Sequence, residues 1–127
     1  MVCIGATIGK AGFTAVEITT NQQINSLTPA EGYDGEFIYY QFLTPTFQQR
    51  VLHASGQATL PIINKSKWSE LTIAMPQDVA TQKAIAEKLR DLRTKVDNMI
   101  DVYAAKLGNL ADLRHSLLRQ AFAGQLT

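Results

Sequence analysis

Cysteine is nearly absent. Cys3 is the only one in 127 residues, so no internal disulfide can form and a reducing compartment, the cytoplasm, is expected. Long apolar runs are absent too. No stretch approaches the roughly 18 residues that span a bilayer. Met1-Val2-Cys3-Ile4-Gly5 carries none of the basic residues that open a secretory signal, so no membrane association is expected. Histidine is scarce. His53 and His115 lie far apart, and with one cysteine they leave no metal-ligand pattern. Net charge is only +1, which excludes a general basic field, so any phosphate binding has to come from local placement. Proline is missing after Pro76, and nothing from there to the C-terminus forces a break in a helix.

What stands in that proline-free stretch is a heptad pattern. Ile85, Leu92, Met99, Lys106 and Leu113 form one row, and Leu89, Val96, Tyr103, Leu110 and Leu117 the other. Nine of the ten positions are apolar, the exception being Lys106. Steps alternating between three and four residues put both rows on one side of an α-helix. A helix from Val79 to Phe122 would be about 66 Å long at 1.5 Å per residue. That exceeds the width of a domain this small, so the stripe needs a partner helix from elsewhere in the chain or from another chain. Gly108-Asn109 is the weak point, because glycine costs about 1 kcal/mol against alanine in a helix interior. A continuous helix is expected, since Leu110, Leu113 and Leu117 keep the register across Gly108. A helical hairpin bent there is the alternative. Asp78, with Thr81 three residues on, is the expected N-cap, and Gly124 the expected stop.

Residues 1–78 read as short elements. Met1 to Ile8 and Phe13 to Ile18 are apolar and β-prone, joined around Gly9-Lys10-Ala11-Gly12, which predicts two strands in a hairpin or tight corner. A core strand at residue 2 implies further chain in front. Thr28 to Gly35 is a loop by its turn residues. Phe37 to Leu43 leans to helix. Thr44-Pro45 has the form of a cap and first helical position, Phe47, Val51 and Leu52 recur at helical spacing, and Gly56 fits a C-terminal cap, giving a helix from about Pro45 to Ala54. Asn64 can cap a turn through Lys67 and Trp68. Asn64-Lys65-Ser66 is also a glycosylation sequon, which reads as chance where no secretory signal is seen. Leu71, Ile73 and Met75 alternate with Thr72 and Ala74 as a strand with one buried face.

Charge divides the chain unevenly. Residues 1–78 hold four Lys/Arg against six Asp/Glu, net −2, and residues 79–127 hold eight against five, net +3. A solvated helix face accounts for the second figure. Asn21-Gln22-Gln23-Ile24-Asn25 packs four amides into five residues. Such amides either satisfy local backbone groups at a turn or read adenine in the major groove. Composition alone favours the local reading.

No catalytic machinery emerges. Gly5-Ala6-Thr7-Ile8-Gly9-Lys10-Ala11 misses the phosphate-binding loop, which needs four residues between its glycines and a hydroxyl residue after the lysine. Cys3 reads as a small buried apolar group rather than a nucleophile paired with His53. Asp97 and Asp101 lie one helical turn apart among basic residues, which is the pattern of a solvated face. No metal or cofactor is expected.

Ile73-Ala74-Met75-Pro76 leads to Gln82, Ile85 and Leu89. The heptad helix follows and closes with Leu113-Arg114-His115-Ser116-Leu117-Leu118-Arg119-Gln120-Ala121-Phe122-Ala123-Gly124. This stretch resembles the end of a target-recognition domain and the spacer helix of the specificity (S) subunits of type I restriction-modification enzymes. The closing Leu-Leu-Arg-Gln-Ala-Phe-Ala-Gly-Gln-Leu run is its most specific part. Upstream, Ile4 to Lys10, Asn21 to Asn25 and Gly56 to Leu60 resemble the second half of such a domain. Two departures stand. The family has an acidic residue before the glutamine matching Gln82, where this chain has Thr81, which touches only the helix cap. A complete subunit has two recognition domains and two spacer helices, so this chain corresponds to a fragment.

The resemblance implies an α+β fold, with a partial target-recognition domain over 1–78 and a spacer or dimerisation helix over 79–127 that pairs as a coiled coil. It implies a non-catalytic subunit whose partners are double-stranded DNA, the methyltransferase (modification) subunit and, through it, the restriction subunit. DNA contacts would fall on Lys10, Asn21, Gln22, Gln23, Asn25, Lys65 and Lys67. Helix pairing would fall on Ile85, Leu89, Leu92, Val96, Met99, Tyr103, Leu110, Leu113 and Leu117. With one helix per chain, a two-fold homodimer can supply the second. The other reading is a coiled-coil assembly module that no longer reads DNA.

Overall fold

The computed structural model describes residues 1–56 and 61–125. They fall into two units, Met1–Lys88 and Leu89–Thr127. Four helices follow in order: α1 (Gly35–Phe42), α2 (Pro45–Ser55), α3 (Lys65–Ser69) and α4 (Val79–Phe122).

Each short helix starts on a side-chain cap. Asp34 Oδ1 accepts from Phe37 N at 2.8 Å, Thr44 Oγ1 from Phe47 N at 3.3 Å, and Asn64 Oδ1 from Lys67 N at 2.9 Å. These bonds satisfy amides that the first helical turn leaves without partners. Pro45 opens α2, and Gly56 closes it at φ 79°, a backbone conformation that favours glycine. α2 buries Phe47, Val51 and Ser55 on one face, while Leu52 turns to solvent. Against that face lie Met1, Cys3, Ile63 and Trp68, forming the core of the N-terminal unit. Phe42 and Phe47 stack at 4.7 Å, and Trp68 meets both edge-on at 5.2 and 6.1 Å. Aromatic pairs in these geometries add about 0.5–1.5 kcal/mol each beyond the area they bury.

The β structure differs from expectation. Among the described residues it is confined to two isolated antiparallel bridges, Val2 with Ile24 and Ile4 with Ile62. The chain turns back over Gly5 to Lys10, not over Gly9 to Gly12. Ile8 N donates to Gly5 O at 3.0 Å and Lys10 N to Thr7 O at 3.1 Å. Gly9 sits at φ 86°, and a Cβ there would collide with Gln48 Oε1. The Gln48 amide holds this corner to α2 through Gly9 O at 2.9 Å.

The second expected strand, Phe13 to Ile18, does not form. Thr14 Oγ1 accepts from Val16 N at 3.2 Å, a local bond that competes with a ladder, and Phe13, Val16 and Ile18 lie exposed. Leu71 to Met75 shows the expected alternation, with Leu71, Ile73 and Met75 half-buried and Thr72 and Ala74 exposed. It nevertheless pairs with no strand among the described residues. Arg50 instead reaches across from α2, its Nη1 donating to Thr72 O and lying 3.1 Å from Thr72 Oγ1. A period of two says which side chains are buried, not which backbone pairs.

α4 is a single helix through Gly108. Asp78 caps it, accepting from Thr81 N at 2.8 Å, Thr81 Oγ1 at 2.7 Å and Ala80 N at 3.3 Å. The Thr81 hydroxyl, then the Thr81 and Ala80 amides, hold the Asp78 carboxyl below its ordinary value of 3.8. A lowered folded value means the cap is intact above about pH 4 and is lost as pH falls through that lowered value. Asp78→Asn keeps a side-chain oxygen without a titrating group. Protection factors of the Ala80 and Thr81 amides, with the intrinsic pH dependence of exchange divided out, should therefore fall in acid in the wild type and stay level in the variant. Parallel pH curves for the two proteins would show that Asp78 does not control this end.

Gln82 and Ala86 are the buried residues of α4. Further along, Leu92, Val96, Met99, Leu110, Leu113 and Leu117 stand exposed, and Lys106 places its ammonium 5.5 Å from the Tyr103 ring centre. The one cation in the stripe thus lies over an aromatic ring of the same stripe. Gly124, at φ 71°, closes the helix, with Gln125 N donating to Gln120 O at 2.9 Å. No helix among the described residues is long and apolar enough to cross a membrane.

Candidate nucleic-acid interface

The amide run Asn21 to Asn25 is tied to the core by its backbone. Cys3 N donates to Gln23 O and Asn25 N to Met1 O, both at 2.9 Å. The Cys3 thiol lies 3.7 Å from Gln22 O. Cys3 itself is buried, as a small apolar group should be. Two of the four amides are used within the fold, one locally and one at long range. Asn21 Oδ1 accepts from Gln23 N at 3.0 Å, which closes a turn, and Asn25 Nδ2 reaches Ile63 O at 3.5 Å. The other two, Gln22 and Gln23, are exposed. Asn21 closes the turn, Asn25 ties the segment to Ile63, and Gln22 and Gln23 stand exposed between them.

The three candidate lysines separate. Lys65 lines a cleft of about 440 Å³ together with Thr20, Asn25, Ser26, Trp68 and Ser69. Lys67, two residues on, donates to Ala54 O at 3.1 Å and so helps hold α3 to the end of α2. Lys10 is exposed but does not line that cleft; its backbone carbonyl accepts from Val2 N at 2.8 Å. The structure thus brings Asn25 and Lys65 together and leaves Lys10 apart.

Three features were not found from the sequence. The hydroxyls Thr20, Ser26 and Ser69 converge on the Lys65 cleft, and no local pattern marks them. A second cleft, of about 310 Å³, is apolar and lined by Leu27, Tyr33, Phe42, Trp68 and Met75 among others. Gln82, noted only for its resemblance to a family position, is 1% exposed and bonded on both sides of its amide. Its signal lay in its register, since Gln82 stands one heptad before Leu89 in the second apolar row, with Ala86 four residues on.

The N-terminal unit thus presents a run of amides from a segment tied to its core, and the helix that follows carries an exposed apolar stripe. Residues 1–102 match the type I restriction modification DNA specificity domain, and the chain belongs to that family. It is 28% identical over 107 residues to the MjaIX specificity subunit of Methanocaldococcus jannaschii, covering 80% of this chain and 25% of that one. It is 26% identical over 133 residues to the HindI specificity subunit of Haemophilus influenzae, covering 98% of this chain and 27% of the relative. The EcoDI specificity subunit of Escherichia coli is 29% identical over 94 residues, covering 74% and 21%. The chain therefore spans about a quarter of the length of these curated relatives. No solved structure matches it.

Proposed function

We propose that this chain is a non-catalytic DNA sequence-recognition module of a type I restriction-modification system. It works in the cytoplasm, pairs with a second copy through the stripe of α4, and docks the modification subunit and, through it, the restriction subunit. The observation that carries the reading is the exposed Gln22-Gln23 pair, held on a backbone bonded to the core, in a chain whose first 102 residues match the specificity domain. An amide pair so presented can bond the N6 and N7 edge of adenine.

The test is co-purification with the modification subunit, the mass read by light scattering, followed by duplex binding. A complex with two copies of this chain is expected. In that complex, Gln22→Ala with Gln23→Ala should cut the preference for the target duplex about 100-fold, at roughly 1–3 kcal/mol per bidentate contact. Non-specific binding should remain. An unchanged preference removes these residues from base reading. One feature favours an assembly module that reads no DNA, namely the excess of acids in residues 1–78. Absence of any shifted duplex at low salt, with the dimer intact, would decide for it.

A further inference from the structure

Phosphate contacts fix a protein's register on DNA, and base contacts then specify sequence. Residues 1–78, with four Lys/Arg against six Asp/Glu, offer no broad basic surface for the first task. We propose that the cleft between residues 20–28 and α3 is a phosphodiester seat, with Lys65 as its cation and the Thr20–Ser26 hydroxyl pair as its neutral donor. The inference rests on the DNA-reading function above; it separates Lys65 from the other DNA contacts that the resemblance implies and joins it to the Thr20 and Ser26 hydroxyls, which were not among them.

The cleft has the right charge. Among the described residues Lys65 is the only ionisable one in its lining, and none of them brings a carboxylate to oppose an anion there. One ammonium matches the single charge of a phosphodiester. The cleft also has a donor to spare. Thr20 Oγ1 and Ser26 Oγ lie 3.1 Å apart, so one hydroxyl donates to the other and the acceptor's own proton is left to point elsewhere. The remaining polar groups hold the walls. Asn25 Nδ2 is directed to Ile63 O, and Ser69 Oγ donates to Lys65 O at 2.8 Å, fixing the backbone that carries the lysine. The other cation of α3, Lys67, is turned away to Ala54 O. Position completes the case. Ser26 follows Gln23 by three residues on the same tied segment, so a phosphate held at Ser26 and Lys65 would fix where the two glutamines fall on the base edges.

The experiment uses the full chain in complex with its modification subunit. Target and non-target duplex affinities are measured as a function of KCl for the wild type, Lys65→Gln, Ser26→Ala and, as a charge control, Lys88→Gln. For Lys65→Gln the slope of log K against log salt should fall in magnitude by about 1, with both duplexes weakened alike and the sequence preference retained. Ser26→Ala should weaken both about 3- to 10-fold at an unchanged slope. If Lys65→Gln keeps the wild-type slope, or Lys88→Gln loses as much, the seat is wrong and the DNA reading still stands. If the wild type binds no duplex, the DNA reading fails and a second measurement decides the seat. Titration with thymidylyl-thymidine, which carries one phosphodiester, should then shift amide resonances in residues 20–28 and 65–69 of the wild type but not of Lys65→Gln. No such shifts would overturn the seat as well.

Discussion

Gln82→Ala is expected to cost the N-terminal unit about 3 kcal/mol. Gln82 Oε1 accepts from Asp34 N and its Nε2 donates to Pro76 O, both at 2.8 Å, in a side chain that is 1% exposed. Truncation leaves both backbone groups without these partners, at roughly 1–3 kcal/mol each before relaxation. It also disturbs α1, because Asp34 is the residue that caps that helix. With unfolding free energies of about 5–15 kcal/mol for a domain, a loss of this size lowers the melting midpoint by roughly 12–24 °C in a unit this small. Gln82→Glu separates hydrogen bonding from packing. The carboxylate still accepts from Asp34 N but cannot donate to Pro76 O, and burial raises its pKa above the unfolded value. The protonated carboxyl can donate to Pro76 O. The variant's stability relative to the wild type is therefore greatest in mild acid and is lost as pH rises through the raised folded value. Thermal melts of wild type, Gln82→Ala and Gln82→Glu at about pH 5 and about pH 8 check this. If Gln82→Ala melts with the wild type, or Gln82→Glu shows no added pH dependence, the amide is not what joins α4 to the N-terminal unit.

The same residue shows where sequence reading stops. Caps and terminators were legible because each rests on chemistry within three or four residues. Thr44 before Pro45, Asn64 before Lys65, Asp78 before Thr81 and Gly56 after Ser55 all stand where expected. The long helix was legible because its period is repeated over many turns. Pairings were not. Met1 to Ile8 was expected to pair with Phe13 to Ile18, but residues 1–5 bond instead to 23–25 and to 61–63, tens of residues away. Nothing within a strand states its partner's address. Leu71 to Met75 shows the limit sharply, with the alternation correct and the ladder missing. Gln82 belongs with these failures. A glutamine on a helix reads as surface, and only a contact with Asp34, 48 residues earlier, makes it core. The Lys65 cleft is the same case. Its hydroxyls come from residues 20, 26 and 69, and the fold alone brings them together.

Leu110→Glu is expected to abolish the proposed dimer. The stripe from Leu92 to Leu117 is exposed, with Leu110 at 61% and Val96 at 48%, so burying it is the largest apolar gain this helix has open to it. In a two-fold pair each substituted position occurs twice. One change therefore removes two buried leucines and places two carboxylates in an apolar seam. Burying a Leu side chain is worth roughly 1.5–3 kcal/mol, and an unpaired buried charge costs several more. A loss of 4 kcal/mol already raises a dissociation constant about 1000-fold. Val96→Glu should act alike if both positions face the same partner. Asp97→Ala is the control. Asp97 is paired with Arg93 at 3.7 Å on a face where both side chains are more than half exposed, and such pairs contribute little. The readout is molar mass by light scattering across a concentration series, with helicity followed in parallel. A helix whose stripe is covered only by a second copy should melt at a concentration-dependent temperature. It should stop doing so in Leu110→Glu and keep doing so in Asp97→Ala. A wild-type chain that is monomeric at all concentrations and still fully helical would sink the homodimer, and would leave the stripe to the modification subunit alone.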